Sequence, residues 1–238
     1  MTAHLRLTGE TPLADSMSAH ASAATVGSAS PFDLVDRGLY RGVFKRVLDL
    51  SLVLVALVPT ALILGVFALL IARDGHSPFY RQERVGRDGR IFGMWKLRSM
   101  VPDADRLLDA HLAADPEARQ EWERQQKLRH DPRITRIGHL IRKTSLDELP
   151  QLFNVLTGDM SLVGPRPMMP SQREIYPGIA YYAMRPGITG YWQCSVRNEC
   201  SFSERALYDT RYFEDISFKT DLLVLLRTLR VVLLGTGS

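Results

Sequence analysis

The segment LSLVLVALVPTALILGVFALLIA, residues 50–72, contains 23 consecutive residues without a charge and carries Pro59 near its middle. About 20 apolar residues are enough for a helix to cross the hydrocarbon core of a bilayer. Proline removes one helical hydrogen bond and clashes with the preceding turn, so it kinks or breaks a helix. The segment is therefore predicted to form a membrane helix that changes direction at Pro59.

Basic residues flank this segment on both sides. Those before it are Arg37, Arg41, Lys45 and Arg46, and those after it are Arg73, Arg81, Arg84 and Arg87. A helix that crosses the bilayer once has its excess of Lys and Arg on the cytoplasmic side only. We therefore expect residues 41–73 to form a re-entrant helix, which enters the membrane, bends at Pro59 and returns to the cytoplasmic face.

Asp49 lies at the edge of the apolar segment, where an ionisable side chain is costly and is usually paired or functional. Lys45 and Arg46 stand four and three residues before it, at the spacing that brings side chains together on a helix. A local ion pair is the first expectation for Asp49, and contact with a substrate is the alternative.

Length and composition exclude several classes of protein. The 238 residues carry a net charge of +4 with a pI near 9.2, which suits a phosphate, a nucleotide or acidic lipid headgroups but is also compatible with ordinary solubility. Two cysteines, Cys194 and Cys200, are too few for a disulfide framework or a four-cysteine zinc site. The chain has no recognisable nucleic-acid-binding signature, so we expect no nucleic-acid partner.

The chain divides into three predicted parts. Residues 1–40 are rich in Ala, Ser and Thr without apolar periodicity, which predicts a disordered tail. Residues 41–73 are the membrane helix, and residues 74–238 are long enough to bury a core and form a cytosolic domain. The run from Asp221 to Leu234 is too short and too charged to span a membrane, which favours an interfacial helix, with a core helix as the alternative.

A β-hairpin is predicted directly after the membrane helix. Two short strands, Phe79–Val85 and Ile91–Leu97, flank an Asp88-Gly89 turn signal. The hairpin gathers six cations, either for phosphate contact or as a solvated basic face: Arg81, Arg84, Arg87, Arg90, Lys96 and Arg98. Helical periodicity over most of the remaining domain makes the predicted fold α+β and predominantly α.

The segment Ser145-Leu146-Asp147-Glu148 has two interpretations. Ser145 stands three residues before Glu148, as in a capping box at a helix N-terminus, although Pro150 indicates a distorted or later helix start. Alternatively, the free N–H groups of a helix N-terminus attract phosphate, and a carboxylate held there can attack phosphorus while its neighbour holds Mg²⁺.

Two turn-rich segments follow. Pro165 and Pro167 bracket Arg166, which fixes the backbone around a guanidinium that suits phosphate recognition. The second segment, residues 185–190, is followed by Tyr191 and Trp192, which could stack on a base, contact the membrane interface or pack in the core.

Six motifs in this order resemble those of the bacterial sugar transferases, the monotopic polyprenyl-phosphate phosphoglycosyl transferases that start exopolysaccharide and glycan assembly. The resemblance runs from about Phe44 to the C-terminus. It rests on FKRVLD (44–49), QERVG (82–86), WKLRSM (95–100), SLDELPQL (145–152) with Asn154, GPRP (164–167) and RPGITG (185–190) with Trp192 and Gln193.

This resemblance implies a two-step reaction that uses Mg²⁺. Asp147 would attack the sugar-linked phosphate of a UDP-sugar and release UMP, and polyprenyl phosphate would then take the sugar phosphate. By the same resemblance Glu148 is the Mg²⁺ ligand, Arg142 and Arg166 are phosphate contacts, and Pro59 matches the re-entrant bend. We also assign Lys96 and Arg98 to phosphate binding.

The resemblance implies a location at the cytoplasmic face of a bacterial inner membrane, among its lipids. A homodimer is compatible with the sequence, and the sugar is not identified by any residue. The alternative function is a non-catalytic membrane scaffold of a polysaccharide assembly complex, in which Asp147 and Glu148 only cap a helix.

Overall fold

In a computed structural model of the chain, residues 38–125, 128–195 and 202–233 are described. The predicted tail, residues 1–40, lies almost entirely outside these ranges. The helices are α1 (Lys45–Ile71), α2 (Ala104–Ala114), α3 (Pro116–Gln125), α4 (Arg136–Lys143), α5 (Gln151–Thr157), α6 (Tyr191–Ser195), α7 (Arg205–Asp215) and α8 (Phe218–Leu233). The strands are β1 (Phe79–Val85), β2 (Ile91–Leu97), β3 (Ser161–Val163) and β4 (Gly187–Thr189). This content confirms an α+β fold that is mostly α.

Helix α1 runs without interruption through Pro59 over 27 residues. Together with its flanking turns, residues Tyr40–Asp74, it is the one helix of the described residues that is long and apolar enough to cross a membrane. Many of its side chains are exposed, among them Val55 at 79% and Leu62 at 69%, as expected for a helix whose surroundings are lipid. The re-entrant path itself stays a prediction.

The N-terminal turns of α1 are held by the domain. Lys45 Nζ lies 2.7 Å from Asp221 Oδ2 on α8, and the Arg46 guanidinium donates to the carbonyls of Val155 and Leu156 at the end of α5. Asp49 Oδ1 accepts from the Leu162 N–H at 3.1 Å. The predicted local ion pair of Asp49 is therefore wrong, because tertiary contacts supply separate partners for all three side chains.

The predicted hairpin is confirmed at both strands. β1 and β2 pair antiparallel with Val85 opposite Ile91 and Phe79 opposite Leu97. Asp88 and Gly89 adopt positive φ angles of 58° and 75° in the connecting turn. Asp and Gly tolerate this left-handed conformation better than most residues, which is why the pair marks the turn.

Apolar side chains of α1 join it to the hairpin and to the following helices. Val53 packs with Met94 of β2 and Val155 of α5, while Ile71 packs with Leu97 of β2 and Ile141 of α4. Burying such a side chain stabilises the fold by roughly 1.5–3 kcal/mol. Helix α1 is thus packed directly against the hairpin.

Helix α8 combines features of both alternatives that the sequence left open. Asp221 and Val224 are buried at 1% and 2% exposure and face the domain. Five apolar residues away from this face are exposed: Phe218, Leu222, Leu223, Leu226 and Leu229. One face of the helix therefore packs in the core, and the other presents an apolar stripe.

Candidate active site

Asp147 and Glu148 lie in a 3₁₀ turn, Leu146–Glu148, between α4 and α5. Ser145 has a left-handed conformation with φ of 55°, and its side chain makes no capping hydrogen bond. Helix α5 begins only at Gln151, after Pro150. The capping-box interpretation is therefore wrong, and so is the placement of Asp147 at an α-helix N-terminus. The late start predicted from Pro150 is confirmed.

Strand β2 brings Lys96 to this turn. Its Nζ atom lies 3.3 Å from Asp147 Oδ2 and 4.0 Å from Glu148 Oε1. Arg166 approaches from the other side, with Nη2 at 3.7 Å from Glu148 Oε1. The two carboxylates therefore face two cations at distances that leave oxygen lone pairs available for further partners.

Burial raises the pKa of Asp147 above its ordinary value, and the neighbouring Glu148 acts in the same direction. Lys96 and Arg142 oppose this shift of the pKa. Because burial disfavours the charged form of a carboxyl group, the ionised state of Asp147 depends on these cations. Arg142, on α4, lies within electrostatic range of Asp147 but is not among the residues that line the adjacent cleft, and its role in phosphate binding stays a prediction.

A small open cleft, with a cavity volume of about 20 Å³, lies beside Glu148 of the acid pair. Its lining is Arg84, Met94, Lys96, Glu148, Gln151, Arg166, Pro167, Gly187 and Ile188. Three of these residues are cations within reach of one small space, which favours an anionic ligand such as a phosphate.

Arg84 is the cleft residue that our site assignment missed. Its guanidinium donates to Gln82 Oε1 at 2.6 Å and to the Pro167 carbonyl at 3.3 Å, while its buried Nε has no hydrogen-bond partner among the described residues. Burial and the nearby Arg166 lower the pKa of Arg84. Its place in the QERVG motif was the available signal, but the hairpin carries too many arginines for sequence alone to select it.

The two turn-rich segments meet behind the cleft. β3 and β4 pair in parallel, with Val163 opposite Thr189. A Cβ atom at Gly187 would lie 2.1 Å from the Gly164 nitrogen, so only glycine allows this approach of the two backbones. The result places Arg166 at the rim of the cleft, where its guanidinium lies 5.9 Å from the centre of the Trp192 ring.

Arg98 lies outside the cleft, contrary to our expectation for it. Its guanidinium binds both carboxylate oxygens of Asp74, at 2.6 and 2.7 Å, and donates to the Ile71 carbonyl at 3.2 Å. Lys96 and Arg98 would share one face of a regular strand, but β2 ends at Leu97. Arg98 therefore hydrogen-bonds to the C-terminal end of α1 instead of lining the cleft.

The described parts of the chain contain no group of three or more His, Cys, Asp or Glu side chains that could hold a metal ion alone. Magnesium is usually bound by one or two carboxylates together with waters and substrate phosphates. Glu148, whose closest cations are 3.7 and 4.0 Å away, has the hard oxygen donors and free lone pairs that this mode requires. The residues present therefore fit a magnesium ion shared with a phosphate ligand.

Comparison with known proteins adds to this geometry. The sequence profile of the family described as "Bacterial sugar transferase" matches residues 40–235. A "UDP-galactose-lipid carrier transferase" of Erwinia amylovora is 49% identical over 198 residues, which cover 82% of this chain and 41% of that protein. An "Undecaprenyl-phosphate galactose phosphotransferase" of Salmonella typhimurium is 44% identical over 196 residues, with coverages of 82% and 41%.

A third relative has the length of this chain. The "Exopolysaccharide production protein ExoY" of Rhizobium meliloti is 40% identical over 222 residues, which cover 90% of this chain and 98% of that protein. The chain spans about two fifths of the length of the Erwinia and Salmonella relatives. It therefore corresponds to one part of those proteins and to nearly all of the Rhizobium protein.

Proposed function

The chain belongs to the bacterial sugar transferase family, and from this premise we propose that it moves a sugar-1-phosphate from a UDP-sugar to polyprenyl phosphate. The observation that carries the proposal is the half-buried Asp147 carboxylate, 3.3 Å from Lys96 Nζ, beside a cleft lined by cations. A nucleophilic carboxylate and a phosphate-binding cleft are the two parts that such a transfer needs.

The proposed reaction has two displacements at one phosphorus atom. An Asp147 oxygen forms a bond to the sugar-linked phosphorus as the bond from that phosphorus to the UMP oxygen breaks, and UMP leaves. A phosphate oxygen of the polyprenyl phosphate then attacks the same phosphorus, and the bond to Asp147 breaks. The products are polyprenyl-diphosphate-sugar and the regenerated carboxylate.

The cations of the cleft stabilise the phosphate charge in this scheme. Arg84 and Arg166 both line the cleft with Lys96, whose Nζ atom lies 3.3 Å from Asp147 Oδ2. Arginine binds phosphate oxygens through two parallel N–H groups, whereas lysine acts as a compact charge. Arg142 adds positive potential at Asp147 from α4.

Glu148 would hold the magnesium ion. When bound, Mg²⁺ neutralises diphosphate charge and stabilises the negative charge that develops on the leaving group. Glu148 also keeps Arg166 in place through their 3.7 Å contact. The remaining work of binding and orienting falls to the side chains of the cleft.

Exposed apolar side chains on two helices support the proposed location at a membrane. The exposed apolar side chains of α1 favour insertion, and the basic residues at both of its ends favour a re-entrant path with both ends in the cytoplasm. The apolar stripe of α8, next to Arg227 and Arg230, suits a helix lying at the headgroup layer. A site next to the membrane surface can receive a soluble donor and a lipid acceptor.

Galactose is the first sugar to test, because relatives from Erwinia and Salmonella are named for it. Purified protein in nanodiscs is incubated with Mg²⁺ and each member of a panel of UDP-sugars, without acceptor, and analysed by mass spectrometry. We expect a phosphosugar adduct on Asp147 and UMP release for one sugar. The adduct should be absent from Asp147→Asn and present in Asp109→Asn, which changes an exposed residue of α2.

An adduct on another residue, or undiminished UMP release by Asp147→Asn, would overturn the proposed mechanism. The scaffold alternative predicts neither an adduct nor Mg²⁺-dependent turnover with any sugar.

A further inference from the structure

Strand β2 has one edge that β1 does not cover, because the two strands form a two-stranded sheet. The side chain of Asn154, on α5, lies against that edge and is only 2% exposed. The Trp95 N–H donates to Asn154 Oδ1 at 2.9 Å, and Asn154 Nδ2 donates to the Gly93 carbonyl at 2.9 Å. One side chain thus satisfies both backbone groups of the strand edge at this point.

The Asn154 side chain makes hydrogen bonds of the kind that a third strand would make with this edge. Residues two apart on a strand direct an N–H and a C=O to the same side, where a neighbouring strand would offer one carbonyl and one N–H. A primary amide carries the same donor and acceptor. Asn154 therefore supplies the acceptor and the donor that a third strand would offer at this point, and aspartate at this position would keep the acceptor but lose the donor.

The contact joins the two segments that carry the acid and its cation. Lys96 follows Trp95 directly on β2. Asp147 lies in the 3₁₀ turn that precedes Pro150, and Asn154 lies on α5, the helix that begins directly after Pro150. The two hydrogen bonds of Asn154 therefore link the backbone that carries Lys96 to the helix that immediately follows the Asp147 turn.

We propose that Asn154 is a positioning residue, which sets the distance between Lys96 Nζ and Asp147 Oδ2 by holding α5 on the edge of β2. This inference rests on the proposed function for its catalytic consequence. A flexible lysine side chain can hold a fixed place next to a carboxylate only if both backbones are fixed. Misplacement of a catalytic group by about 1 Å can cost about 10²-fold in rate.

The test compares Asn154→Ala and Asn154→Asp with Val155→Ala. Val155 is a fully buried neighbour on α5, so its truncation removes core volume and lowers stability without removing the amide. The first measurement needs no activity: a carbodiimide couples the Lys96 amine to the Asp147 carboxyl with loss of water, and mass spectrometry measures the yield of that cross-link. Hydrogen exchange at the Trp95 amide reports on the strand edge.

We expect Asn154→Ala to reduce the cross-link yield severalfold and to speed exchange at Trp95. The change should be at least as large for Asn154→Asp, because its buried carboxylate would face two other acceptors, the Gly93 carbonyl and the Asp159 carboxylate, which lie 2.9 and 3.3 Å from Asn154 Nδ2. Val155→Ala should leave the cross-link yield and the exchange close to wild type. In the UMP-release assay, kcat of Asn154→Ala should fall about 10- to 100-fold, with a much smaller change in KM for the donor. That loss should shrink in a Lys96→Ala background, because the cation to be positioned is gone.

An unchanged cross-link yield in Asn154→Ala would overturn the positioning role. So would a loss in kcat that stays the same with and without Lys96. If the wild-type protein releases no UMP, the proposed function fails, and the cross-link and exchange measurements still decide whether Asn154 sets the geometry.

Discussion

Two aspartates of this chain each face a lysine, but their surroundings are satisfied to different degrees. Asp221 is 1% exposed and accepts hydrogen bonds from Lys45 Nζ at 2.7 Å, Tyr40 OH at 2.7 Å and Tyr212 OH at 2.6 Å. Asp147 keeps 14% of its side-chain surface exposed and has Lys96 Nζ at 3.3 Å.

The difference distinguishes an aspartate with a structural role from one that can react with a ligand. A buried carboxylate whose two oxygens both accept hydrogen bonds from the protein serves to hold its partners in place, and removing it leaves a partner cation without its counter-charge. A carboxylate with free lone pairs beside an open cleft can bind or attack a ligand. Asp221 accordingly anchors α1 to α8, and Asp147 is the candidate nucleophile.

The largest expected effect comes from replacing Asp221, the aspartate that anchors α1 to α8. Asp221→Ala should lower the free energy of unfolding by about 3–5 kcal/mol, because the largely buried Lys45 loses its counter-charge and keeps only Tyr212 OH, 2.9 Å from its Nζ atom, as a polar partner. Thermal unfolding in nanodiscs measures this loss, with the exposed Asp109→Ala as control. UMP release per folded molecule should persist, and its disappearance from correctly folded protein would assign Asp221 to the chemistry.

The second prediction concerns the cation of the cleft. Lys96→Gln should lower kcat for UMP release by about 10²-fold, since one preorganised group that stabilises developing phosphate charge is lost. Lys143→Gln, at the exposed end of α4, is the matched control and should retain full activity. A wild-type kcat in Lys96→Gln would remove the lysine from the proposed mechanism.

A third acid, Asp209, extends the comparison to a buried carboxyl group with a raised pKa. It is buried and accepts from Tyr176 OH at 2.5 Å, and burial raises its pKa to about 6 in spite of that hydrogen bond and the nearby Arg205. Because the folded-state pKa lies above the unfolded value of about 3.9, its contribution to stability is full below about pH 4 and is lost as the pH rises through 6.

Asp209→Asn should remove this pH-dependent contribution to the free energy of unfolding, which changes by roughly 2 kcal/mol between pH 4 and pH 7. The measurement is the difference in unfolding free energy between variant and wild type across that range. A difference that does not vary with pH would show that Asp209 titrates as an ordinary carboxyl.

The smallest expected effect concerns Glu148. Glu148→Gln should raise the Mg²⁺ concentration for half-maximal UMP release about tenfold, because an amide oxygen binds a hard cation more weakly than a carboxylate does. Glu174→Gln changes an exposed acid away from the cleft and serves as control. An unchanged Mg²⁺ requirement in Glu148→Gln would move the metal site elsewhere.

Local signals were sufficient to predict several elements. The hairpin follows from the Asp88-Gly89 turn signal between two short strands, and the structure shows the start of α3 to be equally local, since Asp115 Oδ1 accepts from the N–H groups of Glu117 and Ala118. Both depend on contacts between residues a few positions apart. The same holds for α1, whose uncharged length needs no tertiary information.

Assignments that required partners distant in sequence were less successful. Asp49 bonds to a backbone group 113 residues away, and Arg98 closes the end of α1 instead of lining the cleft. Arg84 lines the cleft because β1 directs it there next to the Pro167 carbonyl, and only its place in the QERVG motif distinguishes it in sequence from Arg81 and Arg87.

The sequence by itself determined that this chain has a long apolar helix, a basic hairpin and an acid pair close to a proline, because each of these is a matter of local composition and spacing. Only the tertiary structure decided which cations meet the acids, because strands and turns far apart in sequence supply them. It also decided that the Asp147 turn is fixed through the Asn154 amide on the edge of β2, because one side chain can replace a missing strand only after the fold has placed that edge beside it.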